Sequence, residues 1–331
     1  MRKRLAAVFV VAVGVGLLAA TASAGSAPPP PQVTILFSRT AMTASDDYLP
    51  DGAFSCQADD AGIATVTGTV APYLASLGLA PITGTVQTAN TQPTVEWCSH
   101  YRETKAASWA DLSNLASQYG WRFVSHSATY PSVAQWANMS ADQVYAETCG
   151  SASALEAHGL SGATGMFAWP DNKVAPNALS DVEQCFDVSR RYGAGVSTAS
   201  QVDNSPYYQS TRQLLGGHCD AGTSQCPSDS IGLRYSPPQN AINQINGLQP
   251  GQWLTIQVYL LVTGTNPAYT KSHDRWDCTS SDPTLHWSND AERYCFSDFQ
   301  QVMTALASKV AQGQIVITDP ATAATLLGRH V

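Results

Sequence analysis

Between residues 33 and 318, short runs of branched and aromatic residues alternate with stretches whose apolar positions recur at helical spacing. VTILF at 33–37 predicts a buried strand, and a helix is expected at about 66–77, stopped by Gly78. PITGTVQT predicts a second strand. SWADLSNLASQYG carries full helix punctuation: Ser108 as N-cap, Asp111 three residues on, an apolar face of Trp109, Leu112, Leu115, Ala116 and Tyr119, and Gly120 as the stop. WRFVSH predicts the third strand. MSADQVYAETCGSASALEAHG predicts one helix, boxed by Ser140 and Gln143 and ended by Gly159. ATGMFAWP is the fourth strand, closed by Pro170. LSDVEQCFDVSRRYG repeats the helix syntax with Ser180, Glu183 and Gly193, and AGVSTAS is the fifth strand. WLTIQVYLLVTG is the sixth and most apolar. FSDFQQVMTALASKVAQG predicts a helix boxed by Ser297 and Gln300, and QIVIT is the seventh strand.

Seven strands alternating with helices predict an α/β fold with parallel strands and right-handed crossovers. The count suits a (β/α) barrel of seven strands; a doubly wound open sheet is the alternative. The units are too unequal in length for a solenoid. Two long connections, 200–252 and 265–295, each follow a strand. That places them at the C-terminal face of the sheet, where α/β enzymes build their sites. The second is dense in His273, Trp276, His286, Trp287 and Tyr294. Aromatic faces on a polar rim suit the C–H faces of sugar rings, and Trp276 and Trp287 are the substrate-binding candidates. The same residues would serve equally as a satellite core over a disulfide.

The first residues have a different character. MRKR, an apolar run over 5–20 and the small residues TASA predict a signal peptide over 1–24, cleaved after Ala24, with an uncleaved anchor as the alternative. GSAPPPP at 25–31 reads as an extended linker, leaving 32–331 as one domain. No later stretch is long and apolar enough to span a bilayer. A net charge of −8, with 17 Lys and Arg and no basic cluster after the leader, argues against nucleic acid as a partner. An even count of eight cysteines in an exported chain predicts disulfides, of which the local pairs Cys219–Cys226 and Cys278–Cys295 are expected.

The chemistry concentrates in WRFVSHSATYPS. A strand ends on His126, Ser127 follows, and four residues after His126, where a second histidine would complete a metal pair, stands Tyr130. On its own, His126 reads as a hydrogen-bonded histidine at a strand end, as a ligand of an altered metal site, or as a metal-free catalytic group. There is no GxSxG elbow, P-loop, HExxH or dinucleotide-type glycine motif after the first strand. Glu96, Glu183 and Asp274 are carboxylates available for glycoside chemistry, with solvated surface as the plainer reading of each.

The order of these pieces resembles the polysaccharide deacetylase family, the NodB homology domain. In GWRFVSHSATYP, the residues Gly120, Trp121, His126, Ser127 and Pro131 follow its helix-stop, aromatic strand and His-Ser-x-x-His-Pro signature. The capped helix near MSADQ, the strand and proline turn of MFAWPDN, and LASLGLAPITGTV extend the likeness over 32–200, and more loosely over 250–318. The resemblance implies a glycoside hydrolase/deacetylase-type barrel. It also implies a divalent metal held by an aspartate and two histidines, which polarises an acetyl carbonyl and activates water. An aspartate base and a late histidine acid complete the implied set. Matched residue by residue, the aspartate pair after the first strand reads Ser38 and Arg39, with Asp46 and Asp47, then Asp59 and Asp60, further on. The second histidine is Tyr130, the arginine after the fourth strand is Ala168, and the late histidine falls near Val262 and Thr263. The expectation is a secreted polysaccharide deacetylase-like protein acting on acetyl carbon–nitrogen bonds of extracellular or cell-wall carbohydrate, with His126 as metal ligand and zinc binding weak or lost. A carbohydrate-binding relative without catalysis and an unrelated glycosidase-like barrel are the alternatives.

Overall fold

In the computed structural model, strand β1 (Gln32–Phe37) is buried along its whole length and hydrogen-bonded on both edges. The structure describes residues 27–37, 66–89, 95–98, 102–104, 107–160, 162, 164–170, 173–190, 196–200, 212–215, 237–258, 260–263, 277–282, 286–288 and 293–328. Strand β2 (Ile82–Val86) pairs in parallel with the last three residues of β1. A hairpin of β3 (Val95–Cys98) and β4 (Arg102–Thr104) stands apart from the main sheet. Then β5 (Arg122–Ser125), β6 (Phe167–Ala168) and β7 (Ser189–Arg190) extend the sheet from β2, all parallel. Near the other edge lie β8 (Ser197–Thr198), β9 (Arg212–Leu215) and β10 (Gln252–Val258). Of these, β10 pairs with all six residues of β1, from Gln32↔Trp253 to Phe37↔Val258.

Strand β11 (Leu260–Val262) leaves the main sheet for a three-stranded one with β12 (Trp287–Ser288) and β13 (Arg293–Cys295). Strand β14 (Val316–Ile317) takes the first two residues of β1, completing a nine-stranded sheet.

That sheet is strongly curled. Arg190 on β7 donates through Nη2 to Gln257 Oε1 on β10, although β6, β5, β2 and β1 lie between them in the hydrogen-bonded order. Five flat steps of about 4.8 Å would hold those strands about 24 Å apart. The side chains meet because the two strands face one another across a lumen. The expected (β/α) barrel is therefore present as a half-barrel: among the described residues no pairing joins β7 to β8.

The strand period of two sorts residues between the faces. Val33, Ile35 and Phe37 join an outer core with helix residues, while Leu36 joins Val124, Ala168, Val188 and Trp253 inside. The outer core is supplied by α1 (Ala71–Ser76, after a π-helical turn at Val66–Val70), α2 (Trp109–Tyr119) and later helices. The α2 punctuation is as expected: Ser108 and Asp111 form a capping box and Gly120 closes the helix at φ 70°. Two further short helices, α3 (Val133–Ala137) and α4 (Ala141–Glu147), each begin with a serine–glutamine box.

Several expectations are corrected. The single helix expected from Ser140 breaks at Thr148 into α4 and α5 (Cys149–Ala157). Thr148 Oγ1 donates to the Val144 carbonyl at 2.8 Å, the back-bonding that bends helices. The next helix, α6 (Leu179–Cys185), has Ala178 as N-cap with no side-chain cap bond, so the Ser180–Glu183 box is not formed. It also stops early. Phe186 is extended, Asp187 N–H donates to the Thr164 carbonyl, and 189–190 become β7, because this backbone is taken up by pairing with the β6 segment. Strand β8 runs antiparallel to β10 rather than parallel. The expected sixth strand is divided between two sheets as β10 and β11.

The connection 200–252 contains β9 and helix α7 (Pro238–Gly247), which buries Ala241 and Ile245 one turn apart. Helix α8 (Phe296–Ala311) begins directly after β13, with Cys295 as N-cap and no side-chain cap bond, so Ser297 and Gln300 do not box it. A last helix, α9 (Pro320–Leu326), is capped by Asp319 and packs Ala323 and Ala324 among the inner-face residues. It lies near the strand starts: a Cβ on Gly165, just before β6, would come within 3.2 Å of Ala321.

The expected disulfide Cys278–Cys295 is present, as is Cys149–Cys185, which ties α5 to the end of α6. Cys219 and Cys226 lie outside the described residues. Replacing Cys149 and Cys185 together with serine opens a loop 36 residues long. The expected loss of unfolding free energy is about 4 kcal/mol on the chain-entropy account, read from the shift of a denaturant midpoint. An unchanged midpoint would show that α5–α6 packing alone fixes this edge.

Candidate functional site

The site grows from the end of β5. His126 continues the ladder one residue past the strand, its N–H donating to the Val86 carbonyl at 2.8 Å. Its ring faces inward and is 6% exposed. Nδ1 lies 2.7 Å from the Ala168 carbonyl oxygen. A carbonyl only accepts, so Nδ1 carries the proton and the lone pair of the neutral ring sits on Nε2. A backbone carbonyl holding one ring nitrogen is how proteins orient imidazoles that bind metals or accept protons. The Tyr130 ring meets this imidazole edge-on, with centroids 4.8 Å apart.

The turn that follows is held in an unusual shape. Ser127 (φ 67°) and Tyr130 (φ 59°) both adopt left-handed backbone without being glycine. Such residues cost on the order of 1–3 kcal/mol each unless their surroundings determine them. Here they do. Ser125 Oγ accepts from Ser127 N–H at 3.1 Å, and Ser127 Oγ accepts from Tyr130 N–H at 2.9 Å. The carbonyls of Ser127 and Ala128 accept from Thr88 and Ala89 of the loop after β2. Glu147, buried at the end of α4, is the largest clasp. Its Oε2 accepts from Ala128 N–H at 2.9 Å and Thr129 N–H at 2.8 Å, and its Oε1 accepts from the Thr129 hydroxyl.

Around the lumen, the register brings His126, Ala168 and Arg190 to one level at the C-terminal ends of β5, β6 and β7. Where the resemblance implies arginine, Ala168 supplies only its carbonyl. One strand further on, Arg190 is buried and bonded to Gln257. Thr83 and Thr255 stand deeper on the same face, buried and, among the described residues, with no hydrogen-bond partner for their hydroxyls. Sequence reasoning missed Glu147, Arg190 and Gln257. Arg190 was hidden inside an expected helix, and nothing local marks Glu147, whose partners precede it by 18 or 19 residues.

Of the other candidates, those within the described residues are not gathered here. Trp276, His273 and Asp274 lie outside the described residues, as do Asp46, Asp47, Asp59 and Asp60. Trp287 lies in β12 and Glu96 in β3, with their side chains outside the described part. Glu183 is exposed on α6. Tyr294 is fully buried in the outer core. Val262 ends β11 and Thr263 is exposed. Among the described residues no three of His, Cys, Asp or Glu gather as a metal set. One imidazole and one phenol do not fit zinc, which in catalytic sites takes about three protein ligands from His, Cys, Asp and Glu.

No family profile and no curated protein matches this chain. Among solved structures it is similar to the Xyl-CE4 domain of a multidomain xylanase from the hindgut metagenome of Trinervitermes trinervoides, at 13% identity over 89% of each chain and a TM-score of 0.42. It is also similar to a family 4 carbohydrate esterase from Streptomyces lividans in complex with acetate, at 10% identity over 89% of this chain and 95% of that one, TM-score 0.41. A polysaccharide deacetylase from Bacillus cereus matches at 14% identity over 51% of this chain and 59% of that one, TM-score 0.29. At these values the likeness carries no argument about chemistry, which rests on the residues themselves.

Glu147→Ala leaves the donors of the turn without their acceptor and is expected to lower unfolding free energy by about 3 kcal/mol, with Glu147→Gln costing about 1 kcal/mol because one carbonyl oxygen remains. The His126 Nδ1–H resonance, sheltered by Ala168, should exchange faster in the alanine variant. An unchanged resonance would mean that the turn holds the imidazole without Glu147.

Proposed function

We propose that the chain is a polysaccharide deacetylase-like protein that meets acetylated glycan outside the cell, with zinc chemistry weakened or lost at His126. The observation that carries this reading is the strand-end turn from His126 to Pro131. A turn with two left-handed residues, held by Ser125, Ser127 and Glu147, stands where the resemblance implies a histidine–serine metal motif. It aims an oriented imidazole into the lumen at the C-terminal ends of parallel strands, where α/β folds carry their sites. The basic-then-apolar leader over 1–24 and the two disulfides among the described residues support export, and no helix of the described residues is long and apolar enough to cross a membrane. Extracellular or cell-wall carbohydrate is the partner this reading requires, and Trp276 and Trp287 are the residues proposed to pack on its rings.

A second reading is a carbohydrate-binding protein that keeps the lumen and has no hydrolytic chemistry. Tyr130 favours it, since a phenol stands where the motif needs its second imidazole.

Two experiments divide these readings. Zinc titration of the full chain, with acetate release from an acetylated chitin oligomer as readout, should give weak zinc binding and little acetate. Tyr130→His should tighten zinc wherever a carboxylate already stands nearby. Tight, stoichiometric zinc in the native chain that disappears on His126→Ala would overturn the weakened-metal reading. Separately, the Trp276→Ala/Trp287→Ala double variant should lose retention in affinity electrophoresis through acetylated glycan while its circular dichroism stays native. Retention equal to that of the parent would remove the aromatic loop from the contact surface.

A further inference from the structure

His286 lies immediately before β12, between the 277–282 segment and the first turn of α8. Its Nδ1 is 3.0 Å from Asp298 Oδ2 and its Nε2 is 2.8 Å from the Ser280 carbonyl oxygen. A carboxylate and a carbonyl both only accept hydrogen bonds. A ring bonded at both nitrogens must therefore carry both protons and be an imidazolium. A neutral ring would turn a lone pair toward one of these oxygens and lose that bond.

The surroundings are built for the cation. Asp298, 3% exposed, sits in the first turn of α8, where the helix dipole favours a carboxylate, and its Oδ1 accepts from Gln301 Nε2 at 3.1 Å. Among the described residues, the charged groups facing the ring are Asp298 from α8 and Asp277 from the 277–282 segment, both acidic. Burial by itself lowers the histidine pKa, but the Ser280 carbonyl, Asp298 and Asp277 outweigh it and hold the pKa above the ordinary 6.5. The same two pieces of chain are joined covalently by Cys278–Cys295, and Cys295 N–H donates to the His286 carbonyl at 3.2 Å.

We propose that His286 is a proton-operated latch: as the imidazolium it clamps the 277–282 segment and the strand bearing Trp287 to the start of α8, and it releases them as the medium becomes alkaline. Its direction follows from linkage. A histidine whose pKa is higher folded than unfolded contributes its stabilisation fully below the unfolded value, and that contribution is lost as pH rises through the folded value. The clamp is thus complete below about 6.5 and fails above the raised folded pKa. Cys278–Cys295 remains closed throughout, so the release is local to this segment. The inference makes no use of the glycan reading.

The test uses the oxidised full chain. Side-chain nitrogen NMR should find His286 protonated at both nitrogens near about pH 6 and titrating above the ordinary histidine value of about 6.5. Amide protection over 278–282 and 286–288, corrected for intrinsic exchange, should be lost toward about pH 9, well past that value. In His286→Gln this pH dependence should be absent, and in Asp298→Asn the His286 titration should move downward. A native His286 that titrates at or below the ordinary value, or protection that does not change with pH in the native chain, overturns the latch. The first of these readings needs no variant and stands even where a variant fails to fold.

Discussion

Six consecutive buried residues, hydrogen-bonded along both edges, make β1 the element around which everything else is arranged. A strand buried on both faces needs two covers, and the chain provides two different ones. Outside, the helices cover Val33, Ile35 and Phe37. Inside, the sheet covers itself by curling, so that Leu36 meets Val124, Val188 and Trp253. Curling also gathers polar side chains into one space, and the structure answers with hydrogen bonds. Arg190 donates to Gln257 across that space, while Trp253 donates to Thr34 and Thr34 to the Thr318 carbonyl between neighbouring strands.

The sequence revealed the alternation of elements because strand and helix periods and serine caps are local signals. Ser108, Ser140, Gly120 and Gly159 mark their helices as expected. It failed where a distant partner decides. SRR in 189–191 fits a helical end by composition, yet Ser189 and Arg190 become a strand because β6 offers them a ladder. The Ser297–Gln300 pair has the right spacing for a box, but β13 feeds straight into α8 and moves the cap to Cys295. Cys149 and Cys185 are no better marked than other pairs until α5 and α6 stand side by side.

The candidate site divides in the same manner. The residue types of the His126 turn were legible because they stand close together in the chain, whereas Glu147, which clasps the turn into shape, lies 18 or 19 residues from its partners. The supports of the turn are separate from the two rings it carries: Ser125, Ser127 and Glu147 fix the backbone, whereas the His126 imidazole meets the Tyr130 ring edge-on. A side chain carried by the turn can therefore be exchanged while the turn keeps its form. Arg190 and Gln257 were illegible for the opposite reason, since their proximity exists only once the sheet has curled.

The position of α9 closes one end of the lumen. Ala323, Ala324 and Leu327 join Trp253, Met166 and Val188 at the beginnings of β10, β6 and β7. The half-barrel is stoppered at that end by an apolar floor, which makes it a cup rather than a tube. His126 and Arg190 stand at the opposite rim. Among the described residues the α9 end is closed by apolar side chains, so the approach to His126 and Arg190 lies at the C-terminal ends of the strands.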